Sequence, residues 1–95
     1  KKGKEVNIKS EITLPHSVFV QEIDDETIIL DSVSQEYFSL NEIGKVIWNL
    51  LSQSIKLENI KEQMLEMYEV EESQLENDIL NFIKALEEKG LIKVD

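Results

Sequence analysis

The sequence predicts an α+β domain in which a three-stranded antiparallel sheet is followed by three helices. Two observations predict it. Between residues 18 and 40 the apolar residues come in short β-branched and aromatic runs separated by polar turns. From residue 42 onward they recur at helical spacing. Strands first and helices after them argue for helices gathered on one face of an antiparallel sheet.

Val18–Ile23 (VFVQEI) is dense in β-branched and aromatic residues and predicts the first strand. Asp24-Asp25-Glu26 predicts a polar turn. Thr27–Asp31 (TIILD) predicts a second strand, apolar enough to be buried on both faces. After a turn over residues 32–35, Glu36–Leu40 (EYFSL) predicts a third strand. Asn41 is a good N-cap, and Ile43, Val46, Ile47, Leu50 and Leu51 make one helical stripe with Trp48 on its flank. A second helix is expected over Leu57–Met67, with Leu57, Ile60, Met64 and Met67 as its apolar face. Tyr68 and Val70 are expected to peg the next connection. The third helix should start near Glu72, carry Leu75, Ile79, Phe82, Ile83 and Leu86, and stop at Gly90. Leu91-Ile92 should then fold back as a contact or a short strand.

Ninety-five residues make one domain. Residues 15–95 form its body. Residues 1–14 are an N-terminal arm or edge strand, and their KKGK start is either a native basic tail or a cloning remnant. Cysteine is absent, which excludes a disulfide scaffold and a thiolate site and fits a reducing, cytoplasmic setting. No apolar run is long enough for a membrane span, so no membrane partner is expected. The charge is lopsided, with four Lys and one Glu in residues 1–10 but six Lys and nineteen acids in residues 11–95. Arginine is absent. That is the reverse of a nucleic-acid binder, so the expected partners are proteins or peptides.

Catalytic chemistry finds little support. His16, the one histidine, sits beside Pro15 with no motif around it. No group of acids and histidine has metal-ligand spacing, and Gly3, Gly44 and Gly90 are isolated, so no phosphate-cradling loop exists. The expectation is a protein without enzymatic activity, metal or cofactor. Binding is better supported. In a meander the third strand can lie at an edge, and EYFSL has neither Lys nor Pro to deter pairing. An extended peptide could add to it as a further strand, with the third helix as one wall of the groove. The alternative is that the aromatics serve the core. Tyr37 and Phe38 alternate, so at least one of them must point inward.

Four groups of residues in order carry a resemblance. They are Ile29-Leu30-Asp31, Tyr37-Phe38-Ser39-Leu40-Asn41, Ile47-Trp48-Asn49-Leu50-Leu51, and the late series Asp78-Ile79, Phe82-Ile83, Leu86 and Gly90-Leu91-Ile92. Over residues 18–94 the chain resembles the PqqD-like fold, the recognition element for leader peptides of ribosomally made, post-translationally modified peptides (RiPPs). The chain departs from the family pattern where Gln35 and Asp25-Glu26 replace frequent turn glycines, and where Ile43-Gly44 stands for a frequent Thr or Ala. The resemblance implies a non-catalytic adaptor that binds the leader as a strand added between the third strand and the third helix, then delivers it to a leader peptidase or modifying enzyme. It implies backbone pairing along Gln35, Glu36, Tyr37, Phe38 and Ser39. It implies a helix wall of Leu75, Asp78, Ile79, Phe82 and Ile83, with Asp78 as the polar contact and Val33 covering one end. For Ile79 and Phe82 the alternative is packing against the first helix. The pattern is closer to the stand-alone proteins of lasso-peptide clusters than to the partners of radical enzymes in pyrroloquinoline quinone synthesis. A winged-helix DNA-binding regulator and a self-pairing module, monomer or weak dimer, are the remaining alternatives.

Overall fold

The computed structural model describes residues 5–95, and the KKGK start lies outside them. The elements are β1 (Ile12–Thr13), β2 (Val18–Ile23), β3 (Glu26–Asp31), β4 (Tyr37–Leu40), α1 (Glu42–Ser52), α2 (Leu57–Met67), α3 (Glu72–Glu88) and β5 (Lys93–Val94). The three strands expected from sequence are β2, β3 and β4. They form one antiparallel sheet in the order β2-β3-β4, so β4 and β2 are its two edges. A second, two-stranded sheet pairs β1 with β5. There Ile12 lies opposite Val94, and the Thr13 hydroxyl donates to the Asp95 carboxylate at 2.9 Å. The arm is thereby clasped to the chain that leaves α3.

Register decides what each strand residue does. Phe38 is opposite Ile29, Leu40 opposite Thr27, and Tyr37 opposite Leu30. Side chains alternate across a strand, so Ile29, Phe38 and Leu40 share the face under the helices, while Leu30, Tyr37 and Ser39 share the other. TIILD was expected to be buried on both faces. Only Thr27, Ile29 and Asp31 are buried, and Ile28 and Leu30 are half-buried, because the helices cover one face alone. The β2–β3 hairpin turns on two residues, Asp24 and Asp25, not three, and Asp24 takes the left-handed conformation at φ 57°. Aspartate tolerates that conformation better than most residues. Gln35, before β4, is also left-handed at φ 71°. Glycine would enter this conformation without the strain that a side chain brings.

Beneath the sheet, Ile29, Ile47, Leu57, Ile60, Met64, Ile79, Ile83, Leu86 and Leu91 are fully buried. Each such side chain contributes about 1.5–3 kcal/mol of burial. Trp48 is buried with them. Asn41 caps α1 by accepting from the Gly44 N–H at 2.7 Å. Gly90 is left-handed at φ 73° after α3, and the turn returns the Leu91 N–H to the Leu86 carbonyl at 3.0 Å. Leu91 and Ile92 then enter the core. Lys61 ties α2 to α3 through Glu76 at 2.8 Å and Glu72 at 2.9 Å. Those two hydrogen bonds hold its ammonium well above the usual lysine range. Of the two expected pegs, Tyr68 is half-buried but Val70 is exposed.

Asp31 closes the turn between β3 and β4. Its carboxylate accepts from the Val33 N–H at 2.8 Å and the Ser34 N–H at 3.3 Å. The Val33 bond, helped by Ser17 and Ser34 and opposed by desolvation, holds this carboxyl below its ordinary value. A depressed folded-state pKa adds stability above the unfolded value and loses it as pH falls through the folded one. Asp31→Ala should therefore lower the urea midpoint at neutral pH. The gap to the wild type should close as the pH drops below the carboxylate range, and a gap of constant size would contradict this role.

Candidate functional site

The free edge of β4 can be read atom by atom. The Asp31 N–H donates to the Glu36 carbonyl at 2.9 Å, which makes Glu36 and Asp31 a hydrogen-bonded pair. Pairs in an antiparallel ladder alternate, so Phe38 and Leu40 also spend their backbone groups on β3. Tyr37 and Ser39 then point their N–H and C=O groups away from the sheet. Gln35 offers less, since its N–H already donates to the Asp31 carbonyl at 2.8 Å. Two residues, Tyr37 and Ser39, thus present four unpaired backbone groups at two-residue spacing.

α3 runs beside this edge in the opposite direction. Phe82 meets Phe38 edge to face, with ring centroids 5.9 Å apart. Lys89, past the helix end, lies 5.9 Å from the centre of the Tyr37 ring and 3.8 Å from the Glu36 carboxylate. At the other end a hollow of about 330 Å³ opens between α1 and α3, lined by Asn41, Ile43, Gly44, Ile47, Asp78, Asn81 and Phe82. Asp78 stands at its rim, where Gln74 donates to it at 3.0 Å. The result is a trough with an aromatic step in the middle, an acid at one end and a lysine at the other.

The expected contact residues do not all reach it. Phe82 and Asp78 line the hollow, and Tyr37 and Ser39 carry the outward backbone groups of the β4 edge. Glu36 sits at the lysine end with its carboxylate toward Lys89. Phe38 faces the helices and Tyr37 the outer face, so the alternation places Phe38 beside the trough floor. Ile79 and Ile83 are 0% exposed and Leu75 is 4% exposed. These three are corrections to the expected wall: they fall on the stripe of α3 that turns into the core, and they support the trough from below. Val33 is 79% exposed, at the turn before β4. Asn41, Ile43, Gly44 and Asn81 line the hollow and Lys89 stands at the other end, and none of them was expected as a contact residue from the sequence. Gly44 carried a signal, as an isolated small residue within an apolar helical stripe.

A Cβ on Gly44 would lie 3.2 Å from the Phe82 ring and 3.2 Å from Asn41 Oδ1. Gly44→Ala should push the ring by a few tenths of an ångström and shrink the hollow. The helix gains about 1 kcal/mol of propensity from alanine, which offsets the crowding. The expected outcome is a nearly unchanged melting temperature with peptide binding weakened about three- to tenfold, or up to ~1.4 kcal/mol. Unchanged binding in a titration would remove the hollow from the site.

Among the described residues no group of three His, Asp or Glu side chains could hold a metal ion. His16 lies elsewhere, on a larger hollow of about 650 Å³ between residues 10–14 and the α1–α2 connection. Its lining includes Thr13, whose hydroxyl is the one that donates to Asp95. No helix among the described residues is long and apolar enough to cross a membrane.

Known proteins share this fold. The family model for Coenzyme PQQ synthesis protein D (PqqD) matches residues 26–92. No curated protein matches the chain. A solved structure of TbiB1 in complex with the TbiA(beta) leader peptide superposes with a TM-score of 0.77 at 31% identity, covering 85% of this chain and 94% of that one. A lasso peptide synthetase B1 complexed with the leader peptide gives a TM-score of 0.77 at 28% identity, covering 87% and 98%. With β3, β4, the three helices and the motif residues all inside the matched span, this chain belongs to the PqqD family.

Proposed function

We propose that this protein is a leader-peptide-binding adaptor of RiPP biosynthesis, of the lasso-peptide kind, with no enzymatic activity of its own. The observation that carries the reading is the open β4 edge beside α3. It supplies backbone partners at Tyr37 and Ser39 and an apolar step at Phe82 and Phe38. A leader segment adds there as a fourth strand, its main chain giving affinity and its alternate side chains entering the trough. Asp78 at one end and Lys89 at the other set the charges that the segment meets. Residues 15–95 are the recognition unit, and the arm secures the chain leaving α3. The absence of arginine and the formal charge of −10 favour a peptide over a nucleic acid. Without catalytic groups the adaptor serves a separate enzyme, a leader peptidase in the lasso reading. Two solved leader-peptide complexes with this fold support that class over a radical-enzyme partner.

The test is a titration with a fluorescently labelled synthetic leader from the precursor encoded beside this gene, followed by NMR shift mapping. Submicromolar affinity, about −8 kcal/mol or better, with shifts centred on residues 37–39 and 78–82, is expected. A folded protein that leaves this leader unbound, or shifts confined to the arm, would overturn the reading.

A further inference from the structure

The sheet has a second edge, β2, which is longer than β4 and exposes more large apolar side chains. Its register with β3 pairs Phe19 with Leu30, Gln21 with Ile28 and Ile23 with Glu26. The Ser32 N–H donates to the Ser17 carbonyl at 2.9 Å, which sets the phase of the ladder. By alternation Phe19, Gln21 and Ile23 bond to β3, and Val20 and Glu22 turn their N–H and C=O groups outward. The helices stop short of this strand. Phe19 is 43% exposed, Val20 44% and Ile23 52%. Six residues run without Lys, Pro or an interruption in the pairing, the features that normally protect an edge.

We infer that the β2 edge is a self-association surface, and that its partner is β2 of a second copy, antiparallel about a two-fold axis at Gln21. The strand is complementary to itself in that register. Gln21 meets its own symmetry mate, amide to amide. Phe19 of each copy meets Ile23 of the other on the outer face, an aromatic and β-branched pair of the kind that stabilises sheets. Val20 of each copy meets Glu22 of the other, and these are the residues with outward backbone groups, so four hydrogen bonds close the seam. The product is a six-stranded sheet with the two β4 edges at its far ends, leaving both troughs open. A six-residue edge covers less surface than stable dimers bury, so the contact is weak and concentration-dependent. Both copies are acidic, so salt strengthens it by screening their repulsion. The inference does not depend on β4 taking a peptide.

Sedimentation velocity of the full chain from about 1 µM to about 1 mM spans the range for such contacts. The expected result is a sedimentation coefficient that climbs from the monomer toward the dimer value, further at high salt. Val20→Pro deletes an outward N–H and spares the β2–β3 ladder; Ile23→Lys puts a charge in the seam without touching the backbone. Both should hold the protein as a monomer, with leader binding as in the wild type. If Val20→Pro fails to fold, Ile23→Lys decides alone. A wild type that stays monomeric throughout, or an Ile23→Lys variant that associates as well as the wild type, overturns the inference. Failure of leader binding in a protein that dimerises through β2 would overturn only the peptide reading.

Discussion

Ser39→Pro is expected to weaken leader binding at least about tenfold, ~1.4 kcal/mol, in a protein that still folds. The register makes the substitution selective. Ser39 lies opposite Ile28 in a pair that exchanges no hydrogen bonds, so its N–H faces the open side of β4. Proline deletes that donor and places its ring where an incoming strand must lie, whereas the ladder to β3 keeps its bonds at Phe38 and Leu40. One net backbone hydrogen bond contributes about 0.5–1.5 kcal/mol, and the steric block adds to it. The side chain must be separated from the backbone, because the Ser39 hydroxyl donates to Glu26 at 2.9 Å. Ser39→Ala removes that bond alone and should bind leader like the wild type. Calorimetry on the three proteins checks this. If proline and alanine behave alike, the edge is not where the peptide pairs.

The largest effect on stability is expected at Ile79→Ala, with a loss of about 2–5 kcal/mol. The side chain is wholly buried in the cluster that also holds Ile47, Ile83 and Leu86. Truncation leaves a cavity that a packed core closes only in part. For a domain of this size the loss is a large share of the total margin, and the melting temperature should fall by about 4–8 °C per kcal/mol. Phe82→Ala is the informative contrast. Phe82 is only half-buried, edge to face with Phe38 at the mouth of the hollow. Its loss should cost less stability than Ile79→Ala and more peptide affinity, about 2 kcal/mol as for an interface anchor. Urea denaturation and leader titration on the same pair decide it. Equal proportional losses in both assays would make Phe82 a core residue and leave the trough without its step.

Much of the fold is legible in the sequence because local signals there agree with one another. The bounds expected for α2 and β2 match the observed ones, since each is a periodic run ended by polar residues. Asn41 and Gly90 announce the start of α1 and the end of α3 by mechanisms that need no tertiary information. The adaptor reading comes instead from the resemblance carried by the four motif groups; the acidic chain without arginine argues only against a nucleic-acid partner. Periodicity says which residues share a face. It does not say which face a neighbour will cover.

That is why the trough itself belonged to the tertiary structure. On α3, Leu75, Ile79, Phe82 and Ile83 form one stripe in sequence, yet only Phe82 emerges beside β4. The angle at which the helix crosses the sheet divides the stripe between core and site, and distant contacts set that angle. Lys61 grips Glu72 and Glu76, the arm clasps β5, and Gly44 admits the Phe82 ring. The outward groups of Tyr37 and Ser39 likewise depend on the phase of pairing with β3. A one-residue slip would turn them inward. Residue types and their spacing therefore determine a strand, a helix and a reason to bind. The packing between elements far apart in the chain decides which atoms are left to do it.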